Sequence, residues 1–221
     1  MKIPFWYDGR MRRLIAIGGV PLLLLLLVEA LFAAGQDRIA DQVAVTVVGD
    51  QVFAATPGQG LIPARLSNSE AVLAIEARGI NAFVQTSVRL LGFSVEVKQW
   101  AAQGTDTDER VIERRITPRL IWVRTNKRLY GFQGLTARWK AGELRFQEEL
   151  REVLVGENIA VVVTTQRALG FSAFTGGFFS QDLESDEKMG EATVNDNVVI
   201  LSTSKRRLIF RSQLAIWAEL R

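Results

Sequence analysis

The stretches FVQTSVRLLGF (83–93), WVRTNKRLYGF (122–132), VVVTTQRALGF (161–171) and ILSTSKRRLIF (200–210) follow one another at intervals of 39 residues. Thr86, Thr125, Thr164 and Thr203 form one column of this alignment; Arg89, Arg128, Arg167 and Arg206 form a second, and Phe93, Phe132, Phe171 and Phe210 a third. Farther along, Trp100, Trp139, Phe178 and Trp217 match, followed by Glu109, Glu148 and Glu187 and then Glu113, Glu152 and Glu191. A period kept through three intervals without a gap marks an array of one supersecondary unit. A weaker first copy, QVFAA (51–55), fits at an offset of 38, with Val48 and Gln51 standing where the Thr and Arg would be.

Within each unit the residue types favour strands. A β-branched or aromatic run such as LIWVRT or IAVVVTT ends at Thr-x-x-Arg, and a second run such as RLYGFQGL follows at once, so the two read as a hairpin. A short segment carrying the Trp comes next, then a turn such as AAQGTDTD, then ERVIERRI or EELREVLV. Alternation of Glu109, Val111 and Glu113, and of Glu148, Leu150 and Glu152, suits a strand with one covered face. EELREVLV also has helical propensity, but its counterpart ERVIERRITP runs into a proline, which disfavours helix.

Four short strands in 39 residues is close to a propeller blade of about 40–45 residues. The expected fold is all-β, a small five-bladed β-propeller with repeats near 41–79, 80–118, 119–157, 158–196 and 197–221. A closed β-barrel and an open stack of β units are the alternatives. In this reading the last copy lacks its fourth strand, which GQDRIADQ (35–42) would supply to close the ring. The signatures of the common WD and kelch repeats are not evident.

Upstream, LIAIGGVPLLLLLLVEALFAAG (14–35) carries a single charge, Glu29, over 22 residues. As a helix it would reach about 33 Å, enough to cross a hydrocarbon core of roughly 30 Å. Lys2, Arg10, Arg12 and Arg13 against Asp8 give residues 1–13 a charge of +3, the whole net charge of the chain. The expectation is a cytoplasmic basic segment (1–13), a transmembrane anchor in contact with lipid (14–35) and an exported domain (36–221) in the periplasm or outside the cell. Ala33 and Gly35 also fit a signal-peptide cleavage site before Gln36, although the apolar stretch is longer than a usual signal core. Glu29 reads as a side chain reaching toward the headgroups, or as a contact with a partner helix.

Composition narrows the chemistry. With no His and no Cys there is no Ser-His-Asp or Cys-His nucleophile, no His or Cys metal site and no disulfide. The charge-balanced remainder argues against nucleic acid as a partner. No catalytic residue, metal or cofactor is expected. The acids recur in every unit, whereas a glycosidase needs one special pair. Two segments break the pattern, TPGQGLIP (56–63) and FTGGFFSQDLESDEK (174–188), and both read as turns, the second also as a loop for a partner.

Thr-x-x-Arg reads first as turn structure, its Arg paired with a glutamate of the adjacent unit, for which Glu113, Glu152 and Glu191 are candidates. The functional reading is that Arg89, Arg128, Arg167 and Arg206 form a ring for an anionic ligand or partner. Trp100, Trp139 and Trp217 read as core, or as a glycan-stacking surface if exposed. Together these features lead to a non-enzymatic membrane-tethered scaffold or accessory subunit with a protein partner. Glycan or anion binding, and a carboxylate-dependent glycan hydrolase, are the alternatives.

Overall fold

The structure, a computed structural model, describes residues 40–221. The anchor (14–35), with Glu29, and the basic segment (1–13) lie outside the described residues. The described chain is all-β and forms five antiparallel sheets. Strands β1 (Ala44–Val48), β2 (Gln51–Thr56) and β3 (Gln59–Arg65) make a three-stranded sheet. The second sheet holds β4 (Val72–Arg78), β5 (Asn81–Thr86), β6 (Arg89–Ser94) and β7 (Gln99–Gly104). The third holds β8 (Val111–Ile116), β9 (Leu120–Thr125), β10 (Arg128–Gln133) and β11 (Arg138–Glu143). The fourth holds β12 (Leu150–Val155), β13 (Ile159–Thr164), β14 (Arg167–Ser172) and β15 (Phe178–Asp182). The fifth holds β16 (Met189–Val194), β17 (Val198–Thr203), β18 (Arg207–Arg211) and β19 (Ile216–Leu220). Each sheet is a meander whose neighbouring strands are consecutive in the chain, as in a propeller blade.

The sheets are phased differently from the sequence repeats. ERVIERRI supplies β8, which pairs with β9 of the following hairpin (Ile116 opposite Ile121), so a sheet begins with the strand assigned to the end of the preceding repeat. The sheet short of a strand is therefore the first, and the last sheet is four-stranded. EELREVLV forms strand β12, not a helix. TPGQGLIP bends between β2 and β3 around Gly58, whose φ of +78° suits glycine, and continues as β3.

Successive sheets pack face to face. Phe83 and Leu90 of the second sheet meet Val123, Tyr130 and Phe132 of the third, and Trp122 and Leu129 meet Val162 and Phe171 of the fourth. Val161 and Ala168 meet Leu201 and Phe210 of the fifth, while Val52 and Ala54 of the first meet Leu91 and Phe93 of the second. Burial on both faces explains the unbroken apolar runs LIWV and IAVVV. In the outer sheets only alternate residues are buried, Val52 and Ala54 in β2 and Val199 and Leu201 in β17. Closing a ring would need a core between the last sheet and the first, and among the described residues every apolar cluster instead joins sequence neighbours. Among the described residues no hydrogen bond spans more than 41 residues. The sheets are propeller-like, and among the described residues they pack as an open stack, with no apolar core between the last sheet and the first.

Glycine sets the close approach of the sheets. A Cβ on Gly92, Gly131 or Gly170 would lie 2.7, 2.4 or 2.5 Å from the ring of Phe132, Phe171 or Phe210 in the next sheet. Phe132, Phe171 and Phe210 of the sequence column thus sit on the glycine of the preceding unit, and Phe93 packs with Ala54, each burying a ring worth about 2–3 kcal/mol relative to exposure.

Candidate functional site

The Thr-x-x-Arg quartets lie at the tight turns between β5 and β6, β9 and β10, β13 and β14, and β17 and β18. In the fourth sheet, Thr164 Oγ1 accepts the backbone N–H groups of Gln166 (3.1 Å) and Arg167 (2.9 Å), and its hydroxyl reaches Glu148 Oε1 at 2.7 Å. Glu148 stands in the turn that opens the sheet. Arg167 grips it side-on, Nε to Oε1 at 2.9 Å and Nη2 to Oε2 at 3.0 Å, and Nη2 also donates to the Glu143 carbonyl at 2.7 Å. The clamp recurs with Glu70, Thr86 and Arg89, whose Nε and Nη2 reach the carboxylate at 2.7 and 2.9 Å. It recurs again with Glu187, Thr203 and Arg206, at 2.9 Å for both bonds. Each clamp closes the gap between the opening turn and the hairpin tip of one sheet.

These carboxylate side chains are 1% exposed or less, so their ionisation is set by their partners. Burial pushes Glu70 up, but hydrogen bonds from Arg89, the Ser67 N–H and Thr86 outweigh it and hold its pKa at about 2. Burial also raises Glu148, and Arg167, the Arg145 N–H and Thr164 bring it below the ordinary carboxylate value. For Glu187 the hydrogen bond from Arg206 is the largest influence and the pKa falls to about 2.

The third sheet departs from this geometry. Tyr130 replaces the leucines at the equivalent positions, Leu91, Leu169 and Leu208, and its hydroxyl donates to Glu109 Oε1 at 2.9 Å, beside Thr125 at 2.7 Å. Arg128 is left 3.8 Å from Glu109 and turns its Nη2 to Asp106 at 2.7 Å. Burial, together with the neighbouring Glu109 carboxylate, raises the Tyr130 pKa to about 12, so the phenol stays protonated as a donor.

Arg89, Arg128, Arg167 and Arg206 therefore occupy equivalent places, each tied to an acid of its own sheet. The partners are the column Glu70, Glu148 and Glu187, with Asp106 serving Arg128, and not Glu113, Glu152 and Glu191. Glu113 lies on β8 beyond a bulge and pairs with Arg115 at 2.9 Å, on the same strand and away from the hairpin tip. The guanidinium edges an anion would engage are already bonded in three of the four units. Among the described residues, no three acidic side chains are placed to hold a metal ion.

The indoles act between sheets. Trp100, Trp139 and Trp217 donate their ring N–H to the carbonyls of Ile62, Ala101 and Phe179 in the preceding sheet at 3.0, 3.1 and 2.9 Å. Their rings pack on Phe93, Phe132 and Phe210 with centroids 5.2, 5.0 and 5.0 Å apart. FTGGFFSQDLESDEK turns at Gly176 and then forms β15 and the clamp turn of the fifth sheet.

Identity matching misses a second set of stitches. Arg119, Asn158 and Asn197 share one column and join across three sheets, Arg119 Nη1 to Asn158 Oδ1 at 3.2 Å and Asn158 Nδ2 to Asn197 Oδ1 at 2.9 Å. Ser172 donates to the Ser212 carbonyl at 2.5 Å, and Gln133, in the same column, donates to the Phe174 carbonyl at 2.6 Å. Both columns keep the spacing while changing residue type, so the period marks them only as polar positions.

No family model matches the sequence, and no curated protein matches it. Among solved structures, the N-terminal domain of Nup159 is similar with a TM-score of 0.34 and 11% identity, over 80% of this chain and 57% of that one. Kluyveromyces lactis Hsv2 gives 0.32 and 12%, over 65% and 46%. The extracellular domain of BT4673 from B. thetaiotaomicron gives 0.32 and 9%, over 80% and 27%. The chain spans about half the length of the first of these structures or less. A likeness this slight carries no functional inference, and the fold rests on the sheets described above.

Proposed function

We propose that this chain is a non-enzymatic scaffold, an accessory subunit tethered to the cytoplasmic membrane through residues 14–35 with its β domain on the outer side. The observation that carries the non-enzymatic reading is the clamp. The acids with the most displaced pKa values are buried, fully bonded and repeated from sheet to sheet, so their perturbation serves the fold and marks no single reactive place. The tether rests on the apolar span and the basic residues before it. A rigid stack of sheets offers long surfaces to protein partners.

Purification of the full chain in mild detergent, with light scattering and identification of co-purifying chains, tests the subunit reading. The expected result is a second polypeptide in fixed ratio. A chain that always purifies without one refutes the subunit role, and turnover of a glycan polymer by the purified chain refutes the non-enzymatic one. A reporter enzyme active only outside the cytoplasm, fused after Arg221, is expected to be active; silence of that fusion refutes the orientation.

A further inference from the structure

We propose that the outer face of the fifth sheet binds the outer face of the first sheet of a second copy of this chain, so that copies continue the stack head to tail. Both faces are uncovered and largely apolar. Ile216 and Leu220 are 53% and 56% exposed on one, and Val48 and Leu61 are 64% and 59% exposed on the other.

The residues at the junction point to each other. Inside the stack, the second, third and fourth sheets each offer a glycine to the phenylalanine of the next, and the first offers the small Ala54 to Phe93. In the fifth sheet the glycine position is Ile209, which would collide with an arriving phenylalanine. In the first sheet the phenylalanine position is Ala55, which has no ring to bring. The large and small partners are exchanged together, so Ile209 and Ala55 can fill the contact that Phe and Gly fill elsewhere.

Charge follows the same pairing. The residues flanking Ile209 on its face are Arg207 and Arg211, both exposed, where the other sheets have Leu90, Leu129 and Ala168 or the polar Ser94, Gln133 and Ser172. In the common register, Arg207 lies at the end of the sheet where the first sheet carries Asp50, whose carboxylate is half exposed beside Arg65; Asp41, at the other end, already accepts the Gly79 N–H of the second sheet. The contact is heterologous and leaves one free face of each kind, so it propagates. It is independent of the membrane tether and of any other partner.

The chain has no cysteine, so introduced thiols report cleanly. Full-length Ala55→Cys and Ile209→Cys variants carrying different tags are purified in mild detergent, mixed and treated with a short bis-maleimide. The expected product is a mixed-tag dimer, absent from either variant alone, and the double variant gives a ladder of multiples. Ile209→Asp, on the outward face, is expected to leave the circular dichroism melt unchanged and to reduce the light-scattering mass to one copy. Arg207→Glu, placed on Ile209→Cys, is expected to lower the dimer yield at least about tenfold, equivalent to a loss of about 1.4 kcal/mol. Absence of the mixed-tag dimer overturns the proposal, as does a dimer formed by one variant with itself. An internal link within single copies of the double variant also overturns it, because the chain would then be closing its own ring.

Discussion

Arg167 and Arg128 hold equivalent places and different jobs. Arg167 satisfies both oxygens of a carboxylate that is fully buried. Removing it by Arg167→Ala strands that charge, a loss of about 3 kcal/mol, since breaking a buried pair leaves one ion without compensation. Arg128→Ala is expected to cost about 1 kcal/mol or less, because Glu109 keeps Thr125 and Tyr130 and the lost partner, Asp106, is half exposed. Urea melts of the two variants check the contrast, and equal losses would contradict it. The same clamps set the acid limit of the fold. Glu70 and Glu187 titrate at about 2 when folded, against an ordinary value of 4.5, so their folded pKa values lie below the unfolded ones. Their contribution is complete above about pH 4.5 and is lost as pH falls toward 2. A series of thermal melts is expected to show Tm nearly flat from pH 7 to about 5 and falling steeply below about 4, less steeply in the variant Glu187→Gln.

At the scale of the element, the pairing of glycine with phenylalanine decides how closely two sheets approach. Gly131→Val is expected to destabilise by at least about 1–3 kcal/mol, because its Cβ would fall 2.4 Å from the Phe171 ring and its methyls have no space. Ile209→Gly, at the equivalent place in the fifth sheet, meets no ring of a following sheet and is expected to cost less; thermal melts rank the two. The hairpins were legible in the sequence because β-branched runs break at Thr-x-x-Arg at a fixed interval. The phase of the sheets was not legible, because a meander repeats identically whichever strand is counted first, and only the pairing of β8 with β9 fixes it. The partners of the arginines were misassigned for a related reason. Two glutamate columns share the period, and proximity in space to the hairpin tip selects the earlier one.

For the whole molecule, contacts that reach no farther than the next sheet make stability nearly one-dimensional. The second, third and fourth sheets are covered on both faces, whereas the first and fifth are covered on one. In the single-copy variant Ile209→Asp, hydrogen exchange is therefore expected to be slowest in β9, β10, β13 and β14 and fastest in β1 and β19, with the outer sheets opening at lower free energy than the centre. Uniform protection across all five sheets would contradict an open stack.

The sequence by itself determined that the chain is an all-β array, since a spacing of 39 residues carries the same β-branched, aromatic and turn residues through four successive units. It also marked the clamp arginines and the Trp column as recurrent parts. Only the tertiary structure decided that the stack is open, that the first sheet is the one short of a strand and that each arginine is neutralised within its own sheet. Periodicity records what successive units share, whereas closure depends on whether the two end faces meet, and those faces are where Ala55 and Ile209 depart from the repeat.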